Sequence, residues 1–125
     1  MNLLLDTHIL LWWLAADRLL PAAAGDAIAA ADNIVSVSAA TAWEIAIKKA
    51  IGRLDAPDDL ADALEANDFD SLVITTAHAL EAGALPAHHS DPFDRMLIAQ
   101  AGIEHLTLVT VDPRFADYEV ELLPI

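Results

Sequence analysis

The stretch NLLLDTHILLWWLA, Asn2 to Ala15, decides the fold. Three leucines continue from Asn2 as a short strand, Asp6 ends it, and the apolar segment 9–15, carrying Trp12 and Trp13, follows as a helix. The same alternation continues outward along the chain. Pro21 opens an alanine-rich helix to about residue 31, and Asn33 breaks it before a second strand at 34–37. Ser38 suits the N-cap of a helix through residue 51 that Gly52 stops. Pro57 restarts a helix to about residue 66, residues 71–74 read as a third strand, and Thr76 caps a helix ending near Gly83. After a loop at 85–90, Asp91-Pro92-Phe93-Asp94 is the strongest helix start, with aspartate at the N-cap, proline first and a carboxylate third. An apolar stripe at Met96, Leu97, Ala99 and Ala101 follows, and Gly102 closes the helix. Residues 106–109 make a fourth strand and 120–123 a final edge strand. This alternation predicts a three-layer α/β/α fold around a mostly parallel sheet of four to five strands.

At 125 residues the chain fits one domain, 1–125. Its hydrophobic share is 56%, yet no apolar stretch approaches the roughly 20 residues of a membrane span. The chain starts in a strand, without the basic and small-residue features of an export signal, so the expected compartment is the cytoplasm. Zero cysteines exclude disulfides, thiolate nucleophiles and cysteine-based zinc sites. Twenty Asp and Glu against 6 Lys and Arg give a net charge of −14. Nucleic acid is repelled overall, so any nucleic-acid chemistry must rest on a metal and on local positive charge. Such charge stands at Lys48, Lys49 and Arg53, which also suit a solvated helix face, and at Arg95 and Arg114 near Asp94 and Asp112.

Four acidic residues stand where strands end or on helices that follow them: Asp6, Glu44, Asp94 and Asp112. Open parallel sheets place ligand sites beyond the carboxyl ends of their strands, where Asp6 and Asp112 lie, although each also suits a helix cap. Glu44 precedes Lys48 by four residues, the spacing of an ordinary surface ion pair. Against that, Trp43, Ile45, Ala46 and Ile47 crowd it with apolar bulk, and a buried carboxylate needs a partner. Asp94 is favoured by the helix dipole with or without a metal, and Asp91 is the N-cap at the rim. Clustered carboxylates repel one another and call for a cation, and an oxygen-only set suits Mg2+ or Mn2+. Thr110 is placed to hydrogen-bond a carboxylate or phosphate and Thr7 to cap locally. His88 and His89 fit a solvated pair, His78 and His105 structural roles, and Trp12 and Trp13 core or interface.

In order along the chain, DTHILLWW, WEIAIK, HHSDPFDRMLIAQA and LVTVD resemble the signatures of PIN-domain proteins, in particular the VapC-type toxin ribonucleases of bacterial toxin–antitoxin systems. The resemblance covers nearly the whole chain. It implies that Asp6, Glu44, Asp94 and Asp112 form an acidic quartet for Mg2+ or Mn2+, with Asp6 and Asp94 as direct ligands and Glu44 and Asp112 acting through water. It selects Asp94 over Asp91. By their positions along the chain, Thr7, Asp91, Thr110, Arg95 and Lys48 are candidate rim or substrate contacts. The implied activity is endoribonuclease hydrolysis by a metal-activated water, with a 5′-phosphate left on the product. The resemblance also implies a homodimer and a cognate antitoxin, and so acidic a chain attracts a basic antitoxin tail.

Two other classes stay open. A receiver-type or phosphatase-like phosphoryl-transfer domain shares the length and the strand-end acids. A receiver, however, pairs an acidic doublet after its first strand, where Asp6 stands alone, and a haloacid-dehalogenase-like phosphatase has an aspartate where His8 sits. The non-enzymatic alternative is a catalytically silent module that binds metal or antitoxin.

Overall fold

The computed structural model describes all 125 residues. Its centre is a four-stranded sheet in which every pairing is parallel. β1 (Asn2–Leu5) lies between β2 (Ile34–Ser38) and β4 (Thr107–Val109), and β3 (Asp70–Leu72) lies outside β2. Residues 3–5 of β1 are apolar because both faces of the strand are covered there. Leu3 and Leu5 enter one core cluster with Ile9, Val35, Val37 and Ile45. Leu4 enters the other, with Leu97, Ile98, Leu108 and Phe115. All three leucines are fully buried, and each such side chain contributes about 1.5–3 kcal/mol relative to exposure.

Helices α1 (Thr7–Leu14), α2 (Ala22–Ala29), α3 (Ala39–Ala50) and α4 (Leu60–Ala66) supply or pack against the first cluster. α6 (Pro92–Glu104) supplies the second and packs with α5 (Thr76–Ala84). Together these make the three layers expected. No helix is long and apolar enough to cross a membrane.

The structure departs from the sequence expectations at several element ends. Gly102 does not close α6, which runs to Glu104 and ends at His105 in the left-handed conformation, φ 55°. A mid-helix glycine costs only about 1 kcal/mol, and packing of Ile98 and Ala101 in the second core overrides it. Thr75, not Thr76, caps α5: its hydroxyl accepts from His78 N and its amide donates to His78 Nδ1, which completes a capping box. α4 begins at Leu60 under an Asp59 cap rather than at Pro57. β3 ends at Leu72, leaving Val73 and Ile74 exposed beyond it. Residues 120–123 form no strand. They meet the sheet through one parallel bridge, Leu108 to Leu122, and the bonds Leu108 N to Glu121 O and Leu123 N to Leu108 O. A 3-10 turn, Pro113–Asp117, fills the interval after β4.

Candidate metal centre

Asp6 follows β1 and is 5% exposed. Its amide donates to Val109 O at 3.0 Å, its Oδ1 accepts from Ile9 N at 2.9 Å, and its Oδ2 accepts from the Thr110 hydroxyl. The capping role and the pocket position therefore coexist. Burial pushes its carboxyl above the ordinary aspartate range, against the hydrogen bonds from Thr110 and Ile9 that pull it down.

Asp94 stands in the first turn of α6. Asp91 Oδ1 accepts from both Phe93 N (2.8 Å) and Asp94 N (3.0 Å), so Asp91 serves as the cap that positions its neighbour. Burial first, then the charges of Asp91, Glu44 and Asp6, push the Asp94 carboxyl up to about 6, with His89 acting in the opposite direction. A carboxylate held that high among like charges is stabilised in its ionised form by a cation.

Glu44 is buried on α3, and both of its oxygens have partners: Oε1 accepts from the Thr7 hydroxyl and Oε2 from Lys48 Nζ, each at 2.5 Å. The apolar neighbours do not all bury it. Trp43 and Ile47 are exposed, and Trp43 meets Phe93 edge to face at 5.5 Å. The hydrogen bond to Glu44 raises the Lys48 ammonium pKa, burial opposes that shift, and the charges of Glu44, Asp91 and Asp94 add to it. Asp112, just past β4, is embraced by Arg114, whose N, Nε and a terminal nitrogen lie 2.8–3.2 Å from its oxygens. Those bonds hold its carboxyl below the usual range.

His89 enters the same pocket, contrary to the solvated pair expected of His88 and His89. Its ring is 1% exposed, and Nε2 lies 2.7 Å from Asp94 Oδ2 and 3.8 Å from Asp112 Oδ2. The ligand-type atoms of His89, Asp94 and Asp112 all fall within 4.8 Å of one another. Asp6 and Glu44 are not part of this trio, but the charges of both act on Asp94. Only His88 is exposed. The His89 backbone is tied to Tyr118, whose hydroxyl accepts from His89 N at 2.9 Å and donates to Pro86 O at 2.7 Å, and its ring lies edge-on to Phe115. No local signal in the sequence announces that contact.

Two rim expectations are corrected. Arg95 turns its guanidinium away from the acids, onto the carbonyls of Ala82, Gly83, Leu85, Pro86 and His89, and so buttresses the end of α5 and the following loop. Thr7 is buried and spends its hydroxyl on Glu44. Lys49 likewise ties Ala56 O, Pro57 O and Asp58 at 2.9–3.0 Å.

The donor set fits a hard divalent ion. Asp6, Glu44 and Asp112 each have both oxygens engaged by protein donors. Asp94, with neither oxygen in a well-aligned hydrogen bond, is the carboxylate freest to ligate directly.

The description "PIN domain" fits residues 3–121 of this chain. Ribonuclease VapC22 of Mycobacterium tuberculosis is 36% identical over 126 residues, spanning 94% of this chain and 92% of that protein. Similar folds occur in the crystal structure of VapBC2 from Rickettsia felis bound to a DNA fragment from their promoter, with TM-score 0.71, 16% identity and coverage of 99% and 98%. A toxin–antitoxin complex from Klebsiella pneumoniae gives TM-score 0.66 at 23% identity, covering 93% and 92%. FitAcB from Neisseria gonorrhoeae gives 0.68 at 18%, covering 98% and 96%.

Proposed function

The chain belongs to the PIN domain family, and from that premise we propose that it is the toxin of a toxin–antitoxin pair, an endoribonuclease that hydrolyses RNA with Mg2+ or Mn2+. A relative that is itself a ribonuclease and folds found in toxin–antitoxin complexes support this reading. The observation that carries it is the gathering of Asp94, Asp112 and His89, their ligand-type atoms within 4.8 Å of one another, with the charges of Asp6 and Glu44 acting on Asp94 at the carboxyl ends of a parallel sheet.

In this reading Asp6 and Asp94 would hold the ion directly, and Glu44 and Asp112 would reach it through water. When bound, the ion supplies Lewis acidity to the attacking water and to the phosphate charge. The chain's own residues do the rest. Thr7 and Thr110 fix the facing oxygens of Glu44 and Asp6. Lys48 and Arg114, both partly exposed beside the acids, give a −14 chain two positive charges at the mouth where a phosphate backbone enters. The partners are a homodimeric second copy and a cognate antitoxin with a basic tail, and the compartment is the cytoplasm.

The test is cleavage of total cellular RNA by partner-free protein with Mg2+, Mn2+ or chelator, with Asp94→Asn alongside. Metal-dependent fragments with 5′-phosphates, absent from the variant, are expected. Cleavage that survives chelation, or equal activity in the variant, overturns the proposal.

A further inference from the structure

We infer that His89 is a hydrogen-bond donor within the acidic pocket, a positioning residue that steers the Asp94 carboxylate through its Nε2–H, and not a third ligand to the metal. Its consequence for hydrolysis rests on the nuclease reading above; the tautomer and the contact do not.

The backbone decides the tautomer. The Asp91 amide meets His89 Nδ1 at 3.2 Å. An amide N–H only donates, so Nδ1 presents its lone pair, and in the neutral ring the proton sits on Nε2. Metal ligation through Nε2 needs the opposite form, with a proton on Nδ1 facing the Asp91 amide hydrogen, two donors opposed. That amide is poorly placed to turn away, because the Asp91 side chain is fixed as the cap of α6 by Phe93 N and Asp94 N. The ring is held as firmly: the His89 amide is tied to Tyr118, and Phe115 lies edge-on to it at 6.0 Å and 85°.

Nε2 is then a buried N–H directed into a group of carboxylates. It lies 2.7 Å from Asp94 Oδ2, a hydrogen-bonding separation, yet its N–H is out of line and has no partner among the protein atoms. An unsatisfied buried donor is costly. The last torsion of an aspartate is broad, so a modest turn of Asp94 brings one oxygen onto Nε2–H. That contact occupies one oxygen and leaves the other to face the ion, with Asp112 Oδ2 at 3.8 Å as the nearest alternative acceptor. Donors that fix a ligating carboxylate in this way change metal affinity or activity by about 10- to 100-fold.

Nitrogen-resolved NMR of the metal-free protein, at a pH where the ring is neutral, is expected to show a protonated, pyrrole-type Nε2 and a pyridine-type Nδ1. The reverse tautomer overturns the inference. Electron spin-echo spectra of the Mn2+-loaded protein are expected to lack a directly bound imidazole nitrogen, and such a coupling also overturns it. His89→Gln keeps an amide N–H near the Nε2 position, whereas His89→Asn keeps only the acceptor near Nδ1. The Asn variant is expected to lose Mn2+ affinity about 10- to 100-fold, the Gln variant to recover most of it, and kcat to fall with KM for RNA unchanged. Equal losses in the two variants contradict the donor role. If the Asn variant fails to fold, the NMR and spin-echo results on the natural chain still decide. Neither spectrum nor the Mn2+ titration uses RNA, so a chain that binds Mn2+ with this tautomer but cuts no RNA refutes the nuclease reading alone.

Discussion

The hydroxyl of Thr110 donates to Oδ2 of Asp6, 104 residues away in the chain, and accepts from the amide of Asp112 at 3.1 Å. One side chain thus joins the two strand-end aspartates. The parallel register makes this possible, since Leu5 pairs with Val109 and the residues that follow emerge side by side. Thr110→Val keeps the shape and removes both bonds. Because the Thr110 bond pulls the Asp6 carboxyl down, its loss raises that carboxyl further. Mn2+ affinity is then expected to fall about 10-fold, with Thr110→Ser retaining it. A calorimetric titration giving the same affinity for the Val variant would rule out this role.

Asp94 imposes a pH dependence on the metal-free protein. Its carboxyl moves from 3.8 to about 6 on folding, chiefly through burial. Below the lower value both states hold the proton. Between the two, the native state keeps a proton that the unfolded chain has released, so stability falls as pH rises through that window, by about 1–2 kcal/mol once solvent screening of the partly exposed carboxyl is counted. Asn does not titrate. Metal-free Asp94→Asn is therefore expected to match the natural chain at about pH 4 and to melt several degrees higher at about pH 7. Saturating Mn2+ reverses the order by stabilising only the chain that binds it. Parallel melting curves at both pH values would show that Asp94 carries no such strain.

Arg95 gives a case in which substrate contact and scaffolding are separable. Its two terminal nitrogens serve five carbonyls of residues 82–89. Arg95→Ala leaves those carbonyls without their charged donor and is expected to cost about 2–3 kcal/mol, read as a lower urea midpoint with an unchanged slope. A variant of full stability whose only defect is a raised KM for RNA would restore the contact role.

The parts legible in the sequence are those fixed by neighbours in the chain. Asp91 and Pro92 announce the start of α6 because a cap and a first-turn proline act within three residues, and this puts Asp94 in the first turn. Asp6 follows from three apolar residues and a break. His89 is illegible by the same standard, since its amide is tied to Tyr118, 29 residues on, and its ring packs on Phe115, through a loop with no periodicity. The partners of Glu44 show both situations at once. Lys48 lies one helical turn away and can be anticipated, whereas Thr7, 37 residues earlier, meets it only after β1 and β2 have paired. The missing fifth strand has a similar cause: apolar content at 120–123 suits an edge, but only Leu108 of the three-residue β4 bridges to it.

Lys48 already neutralises one acid of the pocket, and this makes it a competitor of the ion. Its ammonium lies 2.5 Å from Glu44 Oε2, and the charges of Asp91 and Asp94 also act on it. Lys48→Met keeps the aliphatic stem and removes the charge. Without metal, buried Glu44 then has Thr7 as its remaining donor, and stability is expected to fall by about 1 kcal/mol, since the ammonium is partly solvated and its attraction screened. With metal the sign reverses, because a cation next to a cation site repels the ion and its removal tightens Mn2+ binding several-fold. An RNA contact at Lys48 predicts something different, a raised KM that becomes less sensitive to salt. Mn2+ titration and the salt dependence of KM, measured on the one variant, separate the two roles, and weaker Mn2+ binding would remove Lys48 as the internal counterion.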